Sequence, residues 1–343
     1  MQLEGVGSVH FVCPDAFVWP ELLQDPFAAL DPEVLQMRCV NGLDCWVLRT
    51  YYELRMAGYT ASVGPRLMRD HVNVVGVRSF GRRQRDVGSF VVAPRLDAHH
   101  PALANFVIQQ NGLTPPDRNS GHVAHWVQPN ILPRDQRRGG TLKTIVYKGA
   151  LTNLDAHFRS DSFRSALAAM DVQLVLDSEG DATSAGGWGD YRQADAVLAV
   201  RNLTRYDARY KPASKLVNAW WAEVPALLGP EPAFQELRQS PLDYFEIRSV
   251  EDVLRAVAQL KAEPDRYRAM TDNGRQRRVA FSTEQNLRDW VSLFEGKIAQ
   301  SFQRWQQTSR AGKLLYYSKG VIMEPLSKRS HHRKAVTGAR ILD

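Results

Sequence analysis

Four side chains able to bind an anion occur in one short stretch of the chain. Arg201 ends an apolar run, residues 195–201, that predicts a buried strand. Lys211 and Lys215 lie one turn apart at the start of a predicted helix, with Ser214 between them. A helix N-terminus offers free N–H groups and partial positive charge to an anion. We therefore predict that these side chains contact a phosphate group; a solvated, basic helix start is the alternative.

Further polar positions extend this prediction. Asn218 lies one turn further along the same predicted helix and has donors and acceptors for ribose hydroxyls. Lys148 and Gly149 follow a predicted strand, residues 143–147, and a glycine there lets the backbone approach a phosphate closely. Asn153 lies a few residues further on and is expected to line the same cleft. A helix-surface asparagine and a plain strand-ending turn are the alternatives at these positions.

In the first half of the chain, Asp97 and His99 follow another apolar run, residues 90–95. Such a carboxylate and imidazole can act as an acid–base pair, with ordinary loop residues as the alternative. His122 and His125 flank a further predicted strand and are expected to be satisfied core or edge histidines. No histidine pair has the spacing of a zinc site, so no metal is predicted. The cysteines are expected to be inert thiols in a reducing compartment: Cys13, Cys39 and Cys45.

The elements that must position these residues alternate between strand and helix along most of the chain. Such alternation predicts parallel sheets whose ligands bind at the carboxyl ends of the strands. A glycine-rich loop is predicted at residues 180–189, and a polar, charged break occurs at residues 133–140. The chain has 343 residues, which suits two domains of about 150 residues each. We therefore predict two Rossmann-like α/β domains facing a cleft, residues 1–140 and 141–305, with a segment 306–343 that returns to the first domain and ends in a basic tail.

The segment 211–228 reads as a helix followed by a strand, with Asn218 near the helix end. Glu231 and Glu236 lie in the loop beyond it, and residues 244–300 continue as a strand followed by helices. This pattern resembles the donor-binding domain of GT-B glycosyltransferases, in particular the retaining, family 4-like members. Many of those enzymes have two glutamates beside the donor, and Asn218 stands in the place of the second.

The resemblance implies the GT-B fold and transfer of a sugar from a nucleotide-diphosphate donor to a glycan or lipid-linked acceptor, in cell-surface polysaccharide synthesis. In a retaining mechanism Arg201, Lys211 and Lys215 would stabilise the leaving diphosphate by charge, and in an inverting one Asp97 would be the base. No cofactor or metal is implied, because basic side chains and a helix N-terminus can neutralise the diphosphate. The expected donor-binding residues are Lys148, Gly149, Asn153, Ser214, Lys215, Asn218, Glu231 and Glu236.

The net charge of +7 is unevenly distributed. Residues 327–334 are basic and contain no carboxylate, and Arg82, Arg83 and Arg85 form a second cluster. These clusters are either solvated surface or contacts to an anionic membrane, and no zinc-finger or RNP-like pattern supports nucleic acid. The sequence has no signal-peptide pattern and no apolar run of about 18 residues. We expect a cytoplasmic protein that can lie at the inner face of the membrane.

Other functions stay open on the sequence alone. One is another GT-B-shaped enzyme, such as an epimerase or a pyruvyl transferase, which would use the same basic helix. A second is a non-catalytic protein that binds a sugar nucleotide or glycan. A nucleic-acid binder is suggested only by charge.

Overall fold

The computed structural model describes residues 1–14, 19–23, 29–177 and 186–343. Residues 180–185 of the predicted glycine-rich loop lie outside these ranges. The strands form two separate sheets, and every strand pair within them is parallel. The predicted fold class, two parallel-sheet α/β domains, is confirmed.

The first sheet has six strands in the order β2-β1-β3-β4-β5-β6. Its four inner strands are buried along their whole length, which explains why they are short, mostly apolar runs rather than alternating ones. The strands are β1 (Val9–Val12), β2 (Ala61–Gly64), β3 (Val72–Val75), β4 (Phe90–Pro94), β5 (Phe106–Gln109) and β6 (Ser120–His122).

The second sheet has five strands in the order β11-β10-β9-β7-β8. β7 and β9 lie at its centre, so the apolar runs that the sequence marks most clearly form the buried middle of the sheet. The strands are β7 (Thr144–Lys148), β8 (Gln173–Asp177), β9 (Ala196–Ala199), β10 (Ala226–Leu228) and β11 (Phe245–Glu246).

Helices connect the strands and cover the sheets. Ser249 caps the first helix after β11 through a capping box with Asp252, which satisfies N–H groups that a helix start leaves free. The helices are α1 (Pro32–Arg38), α2 (Arg49–Met56), α3 (Asp161–Ala169), α4 (Gly186–Gly189), α5 (Arg205–Ala208), α6 (Ser214–Ala222), α7 (Pro232–Leu237), α8 (Val250–Ala262), α9 (Pro264–Arg277), α10 (Thr283–Leu293), α11 (Ala299–Gln307) and α12 (Arg310–Thr337). No described helix is both long enough and apolar enough to cross a membrane.

Helices α10 and α11 pack on the first sheet, although they follow the second sheet in the chain. Trp290 and Phe302 are buried in the same apolar cluster as Trp46 and Phe90. The ring centres lie 6.0 Å apart for Trp46 and Trp290 and 5.2 Å apart for Phe90 and Phe302. The second domain predicted from the sequence extends to residue 305, whereas the structure puts these helices with the first core because their apolar face finds its partners there.

The last helix, α12, lies against the loop between β4 and β5. A Cβ atom at Gly320 would come within 2.8 Å of Leu103 Cδ2, so a glycine at this position lets the helix rest directly on the loop. Tyr317 packs with Leu103 in a small apolar cluster. Leu315 and Ile322 point away from the protein and are exposed. The helix therefore uses only one side for packing.

Candidate functional site

Segments that follow strands of the two sheets meet across a cleft. Gln110 and Asn111 come directly after β5, and their side-chain amides donate hydrogen bonds to backbone carbonyls of the second half. Gln110 bonds to Tyr210 at 2.6 Å and Asn111 to Lys211 at 2.9 Å. These contacts hold the start of the α6 region against the carboxyl edge of the first sheet, the edge at which parallel α/β sheets bind ligands.

The cleft contains a cavity of about 300 Å³ at the start of α6, here called the α6 cavity. The second half lines it with Ser214, Lys215 and Asn218, and the first half lines it with residues that include His125 and Gln128. Ser214 is the first residue of α6, and a helix start leaves its first N–H groups without partners inside the helix. Three of the predicted donor-binding residues thus line one cavity.

A second cavity of about 620 Å³ adjoins it and is here called the Asp97 cavity. It is lined by Asp97 together with Asn153, Arg201 and Lys211 of the second half. His125 lines both cavities. The predicted phosphate-binding cations are therefore divided between two adjoining spaces rather than gathered in one.

Lys215 has the most unusual environment of these cations. Its Nζ donates a hydrogen bond to the carbonyl of Lys148. A Cβ at Gly149, whose φ is +145°, would lie 3.4 Å from the same Nζ, so the glycine leaves room for the ammonium group. Among the described residues, no carboxylate forms an ion pair with Lys215, whereas Lys148 and Arg201 each have one and Lys211 has two.

The pKa of Lys215 reflects this environment. Burial lowers the pKa, and the nearby positive charges of Arg201 and Lys148 lower it further, to about 8. The ammonium group is thus charged at neutral pH but poorly compensated. An anion entering the α6 cavity would supply the missing negative charge, which is the electrostatic condition for a phosphate site.

Arg201 and Glu231 bind each other in the structure. Arg201 Nε lies 2.7 Å from Glu231 Oε1, and Arg201 Nη2 contacts Oε2, which gives a bidentate ion pair. Glu231 is fully buried. The charge of Arg201 is therefore largely neutralised within the protein, and its main structural role is to compensate Glu231. Lys148 also has a carboxylate partner, with its Nζ 2.7 Å from Asp177 Oδ2.

Asp97 and Lys211 form an ion pair across the cleft. Lys211 Nζ lies 2.7 Å from Asp97 Oδ2 and 3.3 Å from Asp207 Oδ2, and Arg78 Nη2 lies 3.2 Å from Asp97 Oδ1. Burial alone would raise the pKa of Asp97, but Lys211 and Arg78 outweigh it and hold that pKa below its usual range. A carboxylate with a lowered pKa is a weak base, so this environment opposes the general-base role predicted for Asp97.

The acid–base pair predicted between Asp97 and His99 is not formed. His99 Nε2 lies 2.6 Å from Glu324 Oε1 of α12, and Glu324 Oε2 accepts a hydrogen bond from the Ala102 N–H at 2.8 Å. Each member of the predicted pair therefore has a different partner, because α12 brings a carboxylate to His99 from 225 residues away.

The prediction that Arg82, Arg83 and Arg85 form a surface cluster is wrong for Arg85. Arg85 is buried, and its guanidinium donates to the Leu103 carbonyl at 3.2 Å and to Asn105 Oδ1 at 2.8 Å. Buried oxygen atoms of the loop need hydrogen-bond donors, and the guanidinium of Arg85 supplies them. Only Arg82 and Arg83 remain exposed.

Two further predicted donor residues make contacts across the cleft. Asn218 Nδ2 donates to Gln128 Oε1 at 3.0 Å. Glu236 Oε2 accepts from the Gly112 N–H at 3.1 Å, and burial raises the pKa of Glu236. Both side chains thus connect the two halves, and their contacts with a donor stay predictions.

His125 is a functional candidate that the sequence analysis assigned to the core or a strand edge. Its Nδ1 lies 2.6 Å from the Trp126 carbonyl, so Nδ1 carries the proton and the lone pair of the neutral ring is on Nε2, which has no hydrogen-bond partner among the described residues. Burial lowers the pKa of His125, and the positive charge of Arg49 lowers it further, whereas the hydrogen bond to the Trp126 carbonyl raises it. The signal that could have identified it is its position just after β6, at the carboxyl edge of the first sheet.

Comparisons with known proteins find similarity in structure only. No family model matches the chain, and none of the curated proteins matches it. Sucrose-phosphate synthase from Thermosynechococcus elongatus aligns with a TM-score of 0.50 and 12% identity over 76% of this chain and 94% of that one. Anabaena HepE in complex with UDP and glucose aligns with a TM-score of 0.51 and 9% identity over 84% of this chain and 99% of that one.

A structure of TarM also aligns, with a TM-score of 0.46 and 12% identity over 72% of this chain, but this chain covers only 58% of TarM. Two neighbours that align with a TM-score of at least 0.50, sucrose-phosphate synthase and HepE, are GT-B glycosyltransferases. The two parallel sheets and the cleft between them therefore have the glycosyltransferase-like GT-B fold, as the sequence resemblance predicted.

Proposed function

We propose that this protein is a glycosyltransferase that takes its sugar from a nucleotide-diphosphate donor. The observation that carries the proposal is the Lys215 ammonium group in the α6 cavity, which lies at the start of α6 and forms an ion pair with no described carboxylate. The fold adds support, since one of its structural neighbours, HepE, was solved with UDP and glucose. The diphosphate would contact Lys215 and Ser214, with Asn218 near the ribose.

The sugar would lie beside His125, which lines both cavities, and the acceptor would enter through the Asp97 cavity. In a retaining reaction, Lys215 stabilises the charge that develops on the leaving diphosphate, which can itself take the acceptor proton. In an inverting reaction, the free Nε2 of His125 is better suited than Asp97 to remove that proton. We propose a glycan or lipid-linked acceptor and a role in polysaccharide biosynthesis.

Nucleotide binding gives the direct test of this function. We expect UDP, or one of GDP, ADP and CMP, to raise the melting temperature of the protein, because a ligand at a hundredfold excess over its Kd stabilises the folded state by about 2.7 kcal/mol. Lys215→Met should abolish most of that rise, and Lys143→Met, an exposed lysine of the same half, should not. The proposal would be wrong if no nucleotide changed the melting temperature of the wild-type protein.

The lowered pKa of Lys215 predicts a pH effect. A lysine carries its charge below its pKa, so the donor should lose its counter-charge as the pH rises through about 8. We expect kcat/KM for the donor to fall above pH 8, approaching tenfold per pH unit, because kcat/KM reports the ionisation of the free enzyme. Lys215→Arg keeps its charge at these pH values and should remove the decline. An unchanged decline in that variant would contradict the assignment.

A further inference from the structure

The outward face of α12 carries a row of large apolar side chains. Leu315, Ile322 and Leu326 are 73%, 64% and 50% exposed, and their spacing puts them on one side of the helix. Of all the large apolar side chains exposed in the described ranges, half lie on this single helix. Such concentration marks an interaction surface, since scattered exposed apolar residues are normal and a cluster is not.

Basic side chains continue the same row. Lys319, Arg329 and Arg333 are exposed and follow the helical spacing of the apolar residues. The one carboxylate in the helix, Glu324, points inward to His99 and is buried. The outward face of α12 therefore carries positive charge and no negative charge.

The inner face of α12 is held against the protein, so the outward face cannot turn inward. Tyr316 donates a hydrogen bond from its hydroxyl to the Ala104 carbonyl of the first half. His331 packs against Tyr206 of the second half, with ring centres 5.5 Å apart. Anchoring at both ends keeps the apolar row in contact with solvent.

We propose that this outward face of α12 docks on an anionic lipid surface. Leu315, Ile322 and Leu326 would enter the boundary between headgroups and acyl chains, as the apolar face of an interfacial helix does. Lys319, Arg329 and Arg333 would contact the anionic headgroups.

The charge of this face separates a lipid surface from other occupants. Two copies of α12 placed face to face would bring positive charges together and would leave them without partners. A nucleic acid would match the charge but would leave the apolar row of Leu315, Ile322 and Leu326 against phosphates. An anionic bilayer accommodates both the apolar row and the basic side chains of this face.

Docking would also place the cleft near the lipid. α12 binds His99, which lies two residues from the Asp97 that lines the Asp97 cavity. On the proposed function, an acceptor carried by a lipid could then reach that cavity without leaving the membrane. This consequence rests on the proposed function, whereas the docking itself does not.

Vesicle flotation tests the proposal on the full chain. We expect the protein to float at low salt with phosphatidylcholine vesicles that contain phosphatidylglycerol, and to float much less with phosphatidylcholine alone. Lys319→Gln/Arg329→Gln/Arg333→Gln should reduce binding about a hundredfold, because each basic residue near the surface contributes about 1 kcal/mol. Leu315→Ser/Ile322→Ser/Leu326→Ser should also abolish flotation.

Matched controls use side chains of the same kind elsewhere. Val279→Ser and Met56→Ser replace exposed apolar residues outside α12, and Arg137→Gln replaces an exposed arginine. These variants should float like the wild type. Since all substituted side chains are exposed, the melting temperature and its rise with nucleotide should stay unchanged, which separates this test from that of the proposed function.

Three results would overturn the proposal. One is equal flotation with neutral and anionic vesicles, and another is wild-type flotation of the two triple variants. The third is a dimer in light scattering that Leu315→Ser/Ile322→Ser/Leu326→Ser converts to monomer, which would assign the face to a second copy of the chain.

Discussion

Lys215→Met should lower the turnover number for sugar transfer by about a hundredfold to a thousandfold, the loss that follows removal of one group that stabilises developing charge. The leaving diphosphate gains negative charge in the transition state, so a cation beside it acts more strongly on turnover than on ground-state binding. Lys215 is the cation in the α6 cavity that no described carboxylate neutralises. Steady-state kinetics with the donor identified by thermal shift would measure the effect.

The control for this experiment is Lys143→Met, which removes an exposed lysine just before β7 and should leave turnover unchanged. Methionine has nearly the length of lysine and fills the same space, so the fold should be kept. Turnover of Lys215→Met within a fewfold of the wild type would mean that the donor diphosphate lies elsewhere in the cleft.

Arg201→Ala should destabilise the protein by about 3–5 kcal/mol, because it leaves the fully buried carboxylate of Glu231 without its partner. This cost is paid whether or not a donor is present, so it should appear in the free energy of unfolding measured with denaturant. Arg201→Ala also removes a cation from the Asp97 cavity. An activity assay of this variant alone would therefore not distinguish the loss of stability from the loss of charge in the cavity.

A double variant separates these effects. Arg201→Met/Glu231→Met removes both charges and should recover much of the lost stability, since replacing a buried pair by apolar side chains is often nearly neutral. Arg192→Ala provides the comparison, because it breaks an exposed pair with Asp190 and should cost less than about 1 kcal/mol. Equal costs for Arg201→Ala and Arg192→Ala would show that Glu231 does not depend on Arg201.

The predictions that held depend on short-range features of the sequence. Continuous apolar runs such as residues 195–201 become buried parallel strands because both faces of such a sheet are covered. Lys215 and Asn218 line the same α6 cavity because helical spacing places residues three or four apart on one face, and their contact with a donor stays a prediction.

The predictions that failed or changed depend on contacts between distant residues. Asp97 and His99 are neighbours in sequence, yet each binds a partner brought by the fold, Lys211 and Glu324. Arg85 is basic by type but buried, because loop oxygens around it need donors. His125 follows β6 in the sequence, but only the fold places it at the border between the α6 cavity and the Asp97 cavity.

The sequence by itself determined the alternation of strands and helices, the two parallel sheets and the cluster of cations at the start of α6, since these follow from side-chain periodicity and local backbone hydrogen bonds. Only the tertiary structure decided which cations are neutralised. Arg201 meets Glu231 and Lys211 meets Asp97, while Lys215 meets no described carboxylate. Two charges compensate each other when they lie a few ångströms apart in space, however far apart they are along the chain. Charge compensation can therefore be recognised only in the folded structure.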